Sequence, residues 1–219
     1  MENLKEAWAA LQFGGVLIYP LLLLAVLALV ILLDRAFVYW RYVRLPGIYV
    51  QLIETYDFVW EDLARQLEKL EPRHYFGRFF RVILDNRTKP FWWVESRTGD
   101  EAQLIEKALS RGLWILETIV TAAPLLGLLG TIAGMMNSFR IIGGSGLVDP
   151  TGITGGVAQA LISTAVGISI ALVALFVFNF FSRLQSQTLD EMERLGTRLV
   201  DHIRLDQQGK EVPVEISKV

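Results

Sequence analysis

AAPLLGLLGTIAGMMNS, residues 122–138, decides how this chain is read. The run holds one proline, Pro124, three glycines, a single threonine deep in the run, Thr131, and no charge. A second uncharged run, residues 157–182, carries Gln159, Ser163, Thr164 and Gly167. Long uncharged helices with sparse hydroxyl and amide groups suit a pore wall or a packed bundle. They suit a catalytic pocket poorly, because acid–base work needs groups that titrate.

Outward from these runs, charge is banked rather than scattered. Residues 7–33 contain no Asp, Glu, Lys or Arg, and residues 118–182 contain only Arg140 and Asp149. A soluble protein distributes charge over every face, so a chain that is 53% hydrophobic with such blocks is an integral membrane protein. At about 1.5 Å per residue each of the three apolar runs reaches roughly 30 Å, enough to cross a bilayer. A membrane β-barrel would need period-2 alternation, which these runs lack. The expected fold is all-α, with three transmembrane helices and long helical extensions outside them.

Lysine and arginine close to the helix ends set orientation. Only Lys5 precedes the first span, whereas Arg35, Arg41 and Arg44 follow it; Arg140 alone lies between the later spans, and Arg183 follows the third. The N-terminus and the short loop therefore belong to the outer face, and the long segment and the C-terminus to the cytoplasm. The run of residues 7–33 is too long for a signal-peptide core and ends in DRAFVYWRYVR, a stop-transfer flank, so no cleaved signal is expected. The absence of cysteine removes disulfides and thiolate metal sites, and the net charge of −2 singles out no partner.

The expected organisation follows. An amphipathic helix over 1–13, with Leu4, Trp8 and Leu11 on one face, precedes a first span over 14–33, in which Pro20 is expected to kink the helix. Tyr39, Trp40 and Tyr42 form an aromatic belt at its inner end. A cytoplasmic helical segment over 34–112 contains one helix with a Leu63, Leu67, Leu70 stripe, ended by Glu71-Pro72. A second helix starts near Asp100 and enters the next span, 113–139, as one rod. A loop over 140–155, a third span over 156–182, a helix over 183–205 and a flexible tail over 206–219 complete the chain. In that last helix Leu184, Thr188, Met192, Leu195, Leu199 and Ile203 make an apolar seam suited to a neighbour.

Gly130 and Gly134 form a GxxxG pattern with Gly127 one turn earlier, and small residues let helix backbones approach closely in lipid. The third span answers with Gly156, Ala160 and Thr164 on one stripe and Ser163, Gly167 and Ala171 on the next. Two readings stand: packing of the two helices within one chain, or packing that also builds an oligomer around a polar axis. A membrane threonine commonly bonds only the carbonyl one turn back, so Thr131 and Thr164 alone assign no ion path. The Gln159 amide needs partners in hydrocarbon. Glu117, at the cytoplasmic end of the second span, is a solvated helix-end residue or, less simply, a cytoplasmic ion entry. No phosphate loop, zinc-protease helix, nucleophile elbow or histidine cluster occurs, so neither an enzyme nor a metal or other cofactor is expected. The stretch Arg73-His74-Tyr75-Phe76-Gly77-Arg78-Phe79-Phe80-Arg81 reads as a lipid or partner surface, or as a partly buried helix. Nucleic acid binding is not expected, because acidic residues balance the basic ones.

These residues resemble a known family, the ExbB/TolQ/MotA proton-channel proteins, and within it the ExbB–TolQ branch. The resemblance lies in residues 123–135 and Phe139, in residues 156–168, and in Asn179, with the order of one span, a large cytoplasmic segment and two spans. It implies a homo-pentameric ring in a bacterial inner membrane, with the N-terminus periplasmic and the C-terminus cytoplasmic. The ring would surround the paired helices of an ExbD- or TolR-like single-span partner whose aspartate carries the proton. A TonB- or TolA-like transducer would pass the force to the outer membrane. The resemblance makes Thr131, Thr164 and Gln159 the ion-path residues, and Pro124, Gly127, Gly130, Gly134 and Gly167 the packing and kink residues. The family usually has glutamate where Gln159 stands, and a glutamine carries no proton. A TolQ-like role in outer-membrane integrity and cell division, a non-conducting scaffold, and sodium in place of protons are the alternatives.

Overall fold

The computed structural model describes residues 15–55, 58–145 and 150–211, and the side chains among them except those of residues 140–153 and 209–211. Every regular element among these residues is helical: α1 (Ile18–Val38), a π-helical turn (Tyr39–Val43), α2 (Gly47–Glu54), α3 (Trp60–Leu67), α4 (Tyr75–Asp85), α5 (Phe91–Leu109), α6 (Leu113–Ser145) and α7 (Pro150–Glu211). The chain is an all-α membrane protein with three helices long and apolar enough to span a bilayer, within Ile18–Val43, Phe91–Phe139 and Thr154–Gln208. The expected N-terminal amphipathic helix over 1–13 and the end of the tail, 212–219, lie outside the described residues.

The chain divides into two compact units, one formed by the residues up to Asp34 with Gly112–Ser182, the other by Arg35–Arg111 with the residues from Arg183 on. In the first unit the helices turn narrow stripes inward. Ile18, Leu21 and Ala28 of α1 are buried while Leu23, Val26, Leu29, Val30 and Leu33 face out. Only 17%, 28% and 22% of the three most apolar stretches are buried, a surface that water would penalise and a bilayer or a neighbouring subunit accepts. Between α1 and α7 an apolar groove of 380 Å³ opens where Ala25 and Ala28 meet Ser169 and Val173.

Several expectations need correction. Helix α1 begins at Ile18, so Pro20 stands in its first turn, where its missing N–H leaves no hydrogen bond unmade and no kink follows from it. The rod expected from Asp100 into the second span is interrupted. Helix α5 already starts at Phe91 and ends at Leu109, and Gly112 takes a φ of +83°, the left-handed conformation that closes helices. Helix α6 continues to Ser145 and α7 starts at Pro150, so the backbone is helical over most of the expected 140–155 loop. Proline suits that first helical position. Helix α7 also runs on to Glu211 through Leu205, Gln207 and Gln208, all good helix formers, past the expected start of the tail at 206.

In the second unit the residues of the apolar seam of α7 are used within the chain. Met192, Leu195 and Leu199 are fully buried and Thr188 and Ile203 nearly so, in a core shared with Phe79, Phe80 and Ile83 of α4 and Val94 and Ile105 of α5. The basic–aromatic stretch is part of the same core. Phe76, Phe79 and Phe80 point inward, Arg78 pairs with Glu101 at 2.6 Å, and Arg81 donates to the Leu67 and Leu70 carbonyls at the end of α3. The phenylalanines are thereby withdrawn from any lipid surface, while the two arginines are engaged by partners within the chain. Tyr39 of the expected belt is buried, whereas Trp40 is 76% exposed. Arg35, only 5% exposed, donates to the Ala108 and Leu109 carbonyls at 3.1 and 3.3 Å and so caps the last turn of α5.

Candidate functional site

The membrane-depth seam between α6 and α7 is made of residues without bulk. Ala123, Gly127, Gly130, Gly134 and Ser138 line α6 at steps of three and four, and Gly156, Ala160, Ser163, Gly167 and Ala171 line α7 in the same way; all ten are buried. The helices run antiparallel in close approach. A methyl group on Gly127 would stand 3.0 Å from the Thr164 Cα and 3.1 Å from the Ser163 carbonyl oxygen. On Gly134 it would meet the Gly156 carbonyl oxygen at 2.9 Å, and on Gly167 the Gly127 Cα at 3.0 Å. No larger residue fits these positions without moving a backbone, which is the physical reason for glycine there.

The structure sorts the expected site residues by the partners it gives them. Thr164, half-buried, donates its hydroxyl across the seam to the Gly127 carbonyl at 2.9 Å. Thr131, half-buried one turn further along α6, donates to its own helix at the Leu128 carbonyl, 2.6 Å away. Gln159 belongs to a different contact: its amide lies against Gly15, whose φ of +72° turns the chain into α1, and a side chain at Gly15 would collide with it. Thr164 and Gly127 are thus brought together, while Gln159 is held at the start of the first span. Pro124 lies inside α6 one turn before Gly127. Glu117 is exposed near the start of α6, while its neighbours Leu116 and Ile119 are buried.

Ser138 is a seam residue that the motif reading passed over. It is 3% exposed, donates to the Gly134 carbonyl at 3.1 Å and abuts Gly156. Its spacing of four from Gly134 was the available signal. The seam is electrostatically plain, since residues 118–139 and 154–182 contain no acid, base or histidine. Hydroxyls and carbonyls there can pass a proton or ligate a cation in transit, and none of them stores a charge at neutral pH. Among the described residues no group of three His, Cys, Asp or Glu side chains converges to hold a metal.

Comparison with known proteins agrees with this architecture. Residues 72–194 match the model of the MotA/TolQ/ExbB proton channel family. A putative biopolymer transport protein ExbB-like 1 of Synechocystis sp. is 37% identical over 195 residues, covering 85% of this chain and 74% of the relative. A second Synechocystis protein, ExbB-like 3, is 30% identical over 78% of this chain and 82% of its own length. The biopolymer transport protein ExbB of Aquifex aeolicus is 39% identical over 43% of this chain and 64% of its own length. The glycine-lined seam, the three spans and these matches place the chain in the MotA/TolQ/ExbB proton channel family, among its ExbB-like members.

Proposed function

We propose that this chain is the ExbB-like subunit of an inner-membrane motor driven by the proton-motive force, working with an ExbD-like single-span partner to energise TonB-dependent transport. The single observation that carries the proposal is the charge-free seam. It offers the hydroxyls of Thr131 and Thr164 at membrane depth and no group able to hold a proton, so the titrating carboxylate has to come from another chain. Five copies would form a ring around a pair of partner helices, with the N-terminus periplasmic and the C-terminus cytoplasmic. Gln159 supports this division of labour, because a neutral amide avoids the cost of an unpaired charge in lipid and cannot relay a proton. A TonB-like transducer would carry the force outward.

The test is reconstitution of the chain with its partner in sealed vesicles under a pH gradient. Partner-dependent proton flux that falls in Thr131→Val and Thr164→Val supports the reading. Wild-type flux in both variants, or no flux with the partner present, overturns it. Varying sodium at fixed pH identifies the ion.

A further inference from the structure

The second unit holds a cavity of 470 Å³ between α5 and the distal part of α7. Phe79, Thr98, Gly196 and Val200, all buried, line its base, and Gly99 lies exposed at its edge. The two helices run antiparallel along it, with Arg204 over the Phe91 ring at one end and Thr98 beside Gly196 near the middle. Gly196 is accounted for by folding, because a methyl group there would press on the Phe79 ring at 2.8 Å. Gly99 is not. A methyl group at Gly99 would touch nothing within 4 Å, and the residue has no positive φ. A glycine inside a helix costs about 0.5–1 kcal/mol against alanine. The fold therefore tolerates an unfavourable residue at an exposed position on the edge of this groove, where a side chain would enter open space.

The rim is mainly acidic, with carboxylates on both helices. Glu95, Glu106 and Glu193 line the groove and have no ion-pair partner among the described residues. The one cation of the lining, Arg204, is already engaged by Asp201 at 3.6 Å and by the Phe91 ring, 4.7 Å from its centroid. An apolar trough between two helices, bordered by uncompensated carboxylates, complements a helix with apolar side chains on one face and lysine or arginine on its flanks.

We infer that this groove docks a basic amphipathic segment of another protein chain, with Gly99 as its opening and Glu95, Glu106 and Glu193 as its charge-reading rim. The inference does not depend on ion passage through the spans. The experiment uses the full chain in nanodiscs of neutral lipid and a short fluorescein-labelled helical peptide with leucine on one face and lysine on the other. A glutamate version of the peptide and empty nanodiscs serve as controls. The lysine peptide is expected to bind and the glutamate peptide not. Gly99→Leu should weaken binding by about tenfold or more while the thermal midpoint holds or rises. Because that variant changes packing, Glu95→Gln, Glu106→Gln and Glu193→Gln together provide an independent arm: weaker binding with a flattened salt dependence. Equal binding of both peptides, or unchanged binding in either variant, overturns the inference. Binding of spermine without binding of the peptide would give the groove to a small polycation and likewise overturn it.

Discussion

The hydroxyl of Thr164 is a hydrogen-bond donor to a neighbouring helix in the structure and an ion ligand in the proposed mechanism, and the two roles separate by substitution. Thr164→Val keeps the shape and deletes the donor, removing a cross-helix bond worth about 0.6–1 kcal/mol in a membrane. Thr164→Ser keeps the donor. If the hydroxyl serves the ion, flux falls in the valine variant and returns in the serine variant, while both keep a thermal midpoint within a few degrees of wild type. A purely structural threonine gives a loss of stability proportional to any loss of flux. His74 supplies a second test at this scale. It is 5% exposed, its Nε2 lies 3.2 Å from the Arg44 carbonyl oxygen, and its Nδ1 has no partner among the described residues. Burial, outweighing the Arg44 bond and the nearby Glu71, holds its pKa below the ordinary 6.5. The folded chain then binds fewer protons at this site than the unfolded chain, so stability is whole above pH 6.5 and drains as pH falls from there toward the depressed folded value. Denaturation midpoints of the wild type should drop across that window, and His74→Gln should flatten this part of the profile.

Among the elements, the seam of α6 and α7 and the break before α6 are the most exposed to single changes. Gly127→Ala forces a methyl group against the Thr164 Cα, 3.0 Å away, and should cost about 1–3 kcal/mol through overpacking, read as a lower melting point in detergent. Gly112→Ala places a side chain at φ +83° and should cost about 1–2 kcal/mol by strain alone, since the nearest atom, on Ile31, stands 3.6 Å away. The two variants differ in kind: helix packing should change only in the first. The seam was legible because glycine and serine at steps of three and four leave one geometric use. The break was not, because residues 100–109 carry a helical pattern up to the junction and only the Ser110-Arg111-Gly112 ending signals the stop. The Gln159 contact was also hidden. Its partner, Gly15, is remote in sequence and has no side chain to announce the meeting.

For the whole molecule, the banking of charge made three membrane helices readable from sequence, since composition over long windows survives every local ambiguity. Loop boundaries were less readable: Pro150 begins a helix inside the stretch 140–155 expected as a loop. The apolar face of the distal α7 reads in sequence as a seam suited to a neighbour, and Met192, Leu195 and Leu199 are covered by their own chain. Periodicity identifies a face to be covered and says nothing of who covers it. The uncharged middle of the spans carries one more consequence. If the titrating carboxylate comes from a second chain, as proposed, a polypeptide that brings only hydroxyls to the centre of the bilayer would be an electrical insulator by itself, and a cell would accumulate it ahead of that companion without short-circuiting the membrane.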